Sequence, residues 1–285
     1  MSGAHEFHYR LPRRVSGWRP GAHPGSSLGG GQEFVSHMSL YDRPDPRRLD
    51  LRASLRSLRG DWLVRVNRQR ASVAVHVVAD VSASMRFGSA AQKIEVAADF
   101  VEALSRSAYR SGDSLGMAAF DREERRDLFV PALVSRGMGS VMASLLRESQ
   151  GAAGGIEGLE EVVQHLAGRE GLIFIVSDFH WPLDRLGAAL DLLAHAYVVP
   201  IIVWDPAETQ PPERDSLAIV RDSETGAGRA LWVRPKLRVQ WLESVAQRRA
   251  ELGELLAARH IRPFYVEGGT FDSEAMSKYF FEAAT

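Results

Sequence analysis

The chain has 285 residues, with 35 Lys and Arg against 36 Asp and Glu, a formal charge of −1, and no cysteine. The near-neutral sum argues against a dedicated nucleic-acid binder, and the missing thiols exclude disulfides, zinc–thiolate sites and thiol catalysis. Hydrophobic content of 45% is ordinary for a globular protein, and the longest apolar runs, LIFIV and YVVPIIVW, are strand-sized, well short of the ~18 residues of a membrane span.

Charge is unevenly spread along the chain. Residues 1–70 hold thirteen Arg against six acids, near +7, which leaves the remainder near −8. Such a face suits an acidic protein, an anionic membrane or nucleic acid, or is simply solvated. The N-terminus, MSGAHEFHYRLPRR, lacks a signal-peptide apolar core, so a soluble, cytoplasmic protein is expected. Residues 1–32 are rich in Gly, Pro, Ser and Arg, and SGWRPGAHPGSSLGGGQ predicts a loop. The next stretch, EFVSHMSLYDRPDPRRLDLRASLRSLRGDWLVRV, joins a short strand, a Pro-bracketed acidic turn from Asp42 to Arg47, and an arginine-rich helical segment.

The pattern becomes regular at residue 73. SVAVHVVAD predicts a strand. GSAAQKIEVAADFVEALSRSAYRSG predicts a helix with Ser89 as its N-cap, Gly112 as its stop, and Ile94, Ala97, Val101, Leu104 and Ala108 on one face. SLGMAAFD and DLFVPAL are strands; MGSVMASLLRESQ and IEGLEEVVQHLAG are helices on either side of a Gly-Ala-Gly loop. GLIFIVSDF is a fully apolar strand, LDRLGAALDLLAHA a helix, and YVVPIIVWD a strand. LAIVRDSETGAGRALWV reads as a hairpin turning at TGAG. A long amphipathic helix reaching His260 follows, expected to pack on the core with its charges outside, then the strand IRPFYV and the helix SEAMSKYFFEAA. Near-continuous apolar strands alternating with helices predict a doubly wound, mostly parallel α/β sheet, a Rossmann-type arrangement covered on both faces. The expected division is a basic, irregular N-terminal extension over 1–70 and an α/β domain over 71–285.

In such a sheet ligands bind beyond the carboxyl ends of the strands, at the switch point in strand order. Two apolar strands here end on Asp80 and Asp178. Ser82 and Ser84 follow Asp80 at two-residue spacing, so in extended backbone all three side chains share one side. Asp80, Ser82, Ser84 and Asp178 are an all-oxygen set with at most two charges, which suits Mg²⁺ or Mn²⁺ better than Zn²⁺ or Ca²⁺. The competing reading is local: the serines bond nearby backbone and Asp80 caps the following helix.

Asp80-Val81-Ser82-Ala83-Ser84 after a buried strand resembles the metal-ion-dependent adhesion site of von Willebrand factor A domains. More narrowly, the chain resembles the DUF58 family, bacterial proteins with such a domain that are commonly encoded beside MoxR-type AAA+ ATPases. Glu33-Phe34, the stretch from Tyr41 to Asp50, and Arg52-Ala53-Ser54 resemble that family's N-terminal signature, with Leu51 where an aromatic usually stands. Lys93 to Ala97, Gly112-Asp113, Phe120, Ser177-Asp178-Phe179, Trp204-Asp205-Pro206 and Asp222 to Gly226 resemble its later blocks. The likeness covers roughly residues 30–270. It implies a von Willebrand factor A-like fold, no enzymatic activity, a metal site at Asp80, Ser82, Ser84 and Asp178, and an adaptor that meets a MoxR-type ATPase and a protein client in maturation or assembly. Sites of this type also use a Thr near paired glycines, and here Gly154-Gly155 lead to Ile156, with Ser149 and Glu157 nearby.

Two other functions fit parts of the sequence. A Mg²⁺-dependent phosphohydrolase also places an Asp at a strand end, but needs a second Asp where Ser82 stands. Nucleic-acid binding would use the arginine-rich N-terminal third, but no aromatic-interleaved sheet motif accompanies it. There is no P-loop and no G-x-S-x-G elbow, and the nine His show no metal-ligand spacing, so each reads as a surface or core residue.

Overall fold

A computed structural model describes residues 6–12, 19–29, 31–221 and 228–282. The chain divides into two compact units, Leu11–Val73 and Met1–Arg10 with Ala74–Thr285.

The smaller unit is built on an antiparallel sheet. β1 (Pro20–Gly29) and β2 (Glu33–Ser39) flank β3 (Leu63–Ala71) in the order β1-β3-β2. Sequence pattern predicts a loop where β1 lies. Its Gly and Pro content masks any period of two, and its pairing with β3 is irregular, with register shifts between Pro20 and His23 and between Pro24 and Leu28. A Cβ at Gly25 would stand 2.4 Å from the Gln69 carbonyl oxygen, so glycine there permits the strands' close approach. The arginine-rich segment yields one short helix, α1 (Leu51–Leu55), and its continuation LVRVNRQRA is β3. Asp50 caps α1, accepting a hydrogen bond from the Ala53 amide at 3.0 Å.

The larger unit carries a six-stranded sheet in the order β11-β8-β7-β4-β5-β6. Its strands are β4 (Ala74–Asp80), β5 (Ser114–Phe120), β6 (Val130–Leu133), β7 (Gly171–Ser177), β8 (Ala196–Val203) and β11 (Phe264–Val266). All neighbours are parallel except β5 and β6. This is the doubly wound, mostly parallel sheet that the apolar strands predict. Burial on both faces explains their composition: Ile173 and Ile175 of β7 join one apolar cluster, while Phe174 between them meets Phe100 and Phe280 on the other face.

α2 (Lys93–Ser111) buries Ile94, Ala97, Val101, Leu104 and Ala108, and Gly112 ends it at φ 74°. Its start differs from expectation. Gln92 is the N-cap, and the Ser89 amide instead donates to Asp205 Oδ2 at 2.8 Å. α3 (Met138–Glu148), α4 (Ile156–Leu166) and α5 (Leu186–Asp191) follow the predicted order, with α5 shorter than its pattern. After α6 (Pro206–Thr209), β9 (Ser216–Arg221) and β10 (Gly228–Val233) pair antiparallel as a hairpin. The expected TGAG turn and the Asp222 to Gly226 block fall largely outside the described residues. α7 (Pro235–Ala257) packs on the core as its pattern predicts, through buried Leu252 and Leu256 and partly buried Val245 and Leu255, while Val239 and Leu242 nearer its start are exposed. α8 (Ser273–Glu282) closes the chain and brings Phe280 against Phe7 and Phe174.

From β4 the chain first adds β5 on one side, then returns to place β7 on the other. The strand order therefore reverses at β4 and β7, and their carboxyl ends form the switch point.

Candidate metal site

Asp80 is the last residue of β4, and Asp178 follows the last residue of β7. Both are buried. The Ser177 hydroxyl bridges the two strand ends, donating to Asp80 Oδ2 at 2.6 Å and accepting the Phe179 amide at 2.9 Å. The serines reach the same place by a different route from the one expected. The backbone is not extended through the motif: residues Ala83–Arg86 form a 3₁₀ turn. The Ser82 amide donates to Asp80 Oδ1 at 2.9 Å, and the Ser82 and Ser84 hydroxyls lie 3.1 Å apart. Ser84 also helps hold the Asp178 carboxyl in its charged form. The local reading of the motif is thus partly right, since Asp80 does hold backbone, but Ser82 stands at the N-cap of the 3₁₀ turn and Gln92 at that of α2, so Asp80 caps neither.

The electrostatics separate the two carboxyls. Burial, then the nearby Asp178 charge, pushes Asp80 up to about 6, against the Ser177 and Ser82 hydrogen bonds. Asp178 moves the other way. Burial raises it, but the Lys93 charge, then His180 and the hydrogen bonds from Lys93 and Ser84, leave it below the ordinary range. Lys93 Nζ donates to Asp178 Oδ2 at 2.6 Å and to Glu208 Oε1 at 2.8 Å. Burial lowers the Lys93 pKa, yet Asp178 and Glu208 more than reverse this.

Asp178 is aimed by strained backbone. Phe179 adopts a left-handed conformation at φ 53°, uncommon for a bulky side chain. Packing holds it there: its ring is buried 5.3 Å from that of Trp181, and Trp204 Nε1 donates to the Asp178 carbonyl at 2.9 Å. Glu208 is set by α6, where Asp205 and Glu208 form a reciprocal capping box.

The loop after α3 lies against the motif. Ala83 N donates to the Ala152 carbonyl at 2.9 Å, and a Cβ on Gly151 would stand 1.7 Å from the Val81 carbonyl oxygen. Ile156, Ser149 and Glu157 are each engaged elsewhere. Ile156 opens α4 and is buried in the core with Val78, Phe120 and Leu159. The Ser149 hydroxyl donates to the Leu146 carbonyl and accepts from Arg86, and Glu157 pairs with Arg185 at 2.6 Å.

Residues 42–251 match the family described as "Protein of unknown function DUF58". The chain belongs to the DUF58 family. Among curated relatives of this DUF58 protein, the Mycobacterium tuberculosis protein Rv1480 is 25% identical over 256 residues, spanning 86% of this chain and 78% of the relative. Two solved structures overlap it more loosely. BatB from Bacteroides thetaiotaomicron has 16% identity and a TM-score of 0.44, over 75% of this chain and 99% of that one. An aerotolerance-related membrane protein from Bacteroides fragilis has 13% identity and a TM-score of 0.43, over 75% and 98%.

Lys93, His180 and Glu208 also belong to the site, although nothing in the sequence assigns them to it. His180 is not merely a surface or core residue. One ligand atom each from Asp178, His180 and Glu208 lie within 4.8 Å of one another, a cluster able to hold a divalent metal. Its ring also stacks 6.2 Å from that of Trp204. Ser177 joins the site through its bond to Asp80, and it stands beside Asp178 in the same family-like block. Lys93, His180 and Glu208 come from three separate elements and carry no spacing that joins them.

Proposed function

We propose that this DUF58 protein is a non-enzymatic interaction module that docks acidic side chains of a protein client through Mg²⁺ or Mn²⁺ held by Asp80, Ser82, Ser84 and Asp178. The observation that carries the reading is the convergence of these four side chains at the switch-point rim. The residues fit a hard divalent ion: every donor is oxygen, two are neutral hydroxyls, and a buried Asp80 facing Asp178 is the kind of carboxyl that a cation relieves. When bound, such an ion supplies an electron-poor position for a carboxylate from outside. The chain's own residues hold its ligands: Ser177 fixes Asp80, the left-handed backbone at Phe179 aims Asp178, and Lys93 balances the Asp178 charge. Ser82 stands where a phosphohydrolase would need a second acid, and a serine hydroxyl cannot serve near neutral pH.

We further propose that the module is an adaptor for a MoxR-type AAA+ ATPase in the cytoplasm, acting in maturation or assembly of the client's complex. The family resemblance supports the ATPase. The smaller unit offers a surface of suitable chemistry, with Leu55 and Leu58 exposed among Arg52, Arg56 and Arg59. Affinity capture from the native host in Mg²⁺ tests both parts. The wild type is expected to retain an AAA+ protein and a client, and Asp80→Ala to lose the client alone. Undiminished client capture by Asp80→Ala would contradict the reading.

A further inference from the structure

The Asp178–His180–Glu208 cluster has the donor set of a first-row metal site, with one nitrogen and two carboxylates. Yet a cation is already in it. Lys93 Nζ lies 2.6 Å from Asp178 and 2.8 Å from Glu208, with only 2% of the Lys93 side chain exposed. The Asp205 charge adds to this attraction. Lys93 is the first residue of α2, where the helix dipole opposes positive charge. Burial also opposes it, and the further support is the Phe87 ring face at 5.8 Å. The two carboxylates are the direct ion-pair partners of Lys93, and Lys93 in turn neutralises them. A divalent ion sits about 2.0–2.2 Å from carboxylate oxygen or imidazole nitrogen. On these oxygens it would come within about 5 Å of the ammonium and compete for the same lone pairs.

We infer that Lys93 is a built-in cation of the rim: it fills the Asp178–His180–Glu208 cluster, keeps divalent metals out of it, and so removes the histidine from the ligand set. Any divalent ion is then confined to the oxygen side, at Asp80, Ser82 and Ser84 with the Asp178 oxygen that Lys93 does not hold. This last consequence rests on the proposed docking site, whereas exclusion from the histidine cluster does not. Lys93 thereby sets metal selectivity: the site is tuned to oxygen-seeking ions and against Zn²⁺.

Calorimetric titration of Zn²⁺ into the full chain tests this, with wild type, His180→Ala, Lys93→Met and the double variant, each checked for folding by thermal melting. Wild type and His180→Ala are expected to give the same Zn²⁺ isotherm, because the imidazole is not a ligand. Lys93→Met is expected to gain at least tenfold in Zn²⁺ affinity, and the double variant to lose that gain. A tenfold weakening of wild-type Zn²⁺ binding by His180→Ala would overturn the inference, as would a folded Lys93→Met with no gain. The His180→Ala comparison decides the matter alone if Lys93→Met does not fold. Failure of the docking proposal has a separate signature, Mg²⁺ heats unaffected by Asp80→Ala, and would leave the Zn²⁺ result standing.

Discussion

Asp80 is the residue on which the site's chemistry turns. With its carboxyl held at about 6, against an ordinary value of about 3.9, the native state keeps a proton that the unfolded chain releases. The stabilising contribution of that proton is complete below about pH 4 and is lost as pH rises through about 6. A shift of about two units corresponds to about 2–3 kcal/mol. In a chelator, Asp80→Asn is therefore expected to be more stable than wild type at pH 8 and to lose much of the stability change between pH 4 and 6.5. Urea unfolding across that range checks this, and lower stability of Asp80→Asn at pH 8 would contradict it. Asp80, Ser82, Ser84 and Asp178 were legible in the sequence because polar residues at the ends of buried strands have no packing use. Lys93 was not. In sequence it is only the first residue of the block Lys93 to Ala97, and the fold alone shows that β7 and α6 bring two carboxylates to it.

The elements divide by how their burial is arranged. Strands covered on both faces announce themselves as apolar runs, and α2 announces itself by its spacing, down to the Gly112 stop. β1 does not, because its partner strand and its glycines, rather than a hydrophobic alternation, hold it in place. α7 is legible over most of its length: its pattern predicts a packed face, which runs from Val245 to Leu256, and only its first turns leave apolar residues exposed. The N-terminal segment, like β1, is invisible to periodicity. Phe7 is buried, stacked 6.1 Å from Phe100 and 6.5 Å from Phe280, and its amide donates to the Ser107 hydroxyl at 2.9 Å. Phe7→Ala is expected to destabilise the chain by about 3 kcal/mol, within the range for aromatic truncation in a core. A loss below about 1 kcal/mol in urea unfolding would show that this segment is not part of the core.

At the scale of the whole molecule, chemistry and charge are carried by different units. The parallel sheet presents the rim, and the smaller unit carries the arginine excess. The sheet order was legible only as a class: alternation predicts a switch point, but which strands flank it is set by long-range pairing. If the smaller unit meets the ATPase, Arg52→Glu with Arg56→Glu is expected to weaken AAA+ capture at least tenfold while leaving Mg²⁺ heats unchanged. Unaltered capture would exclude that face. The central claim, that the switch-point rim is a metal-dependent docking site, is tested most directly by isothermal titration of Mg²⁺ and Mn²⁺ into wild type and Asp80→Ala. The account predicts saturable binding heats in the wild type and their loss in the variant, whereas equal heats in the two proteins would contradict it.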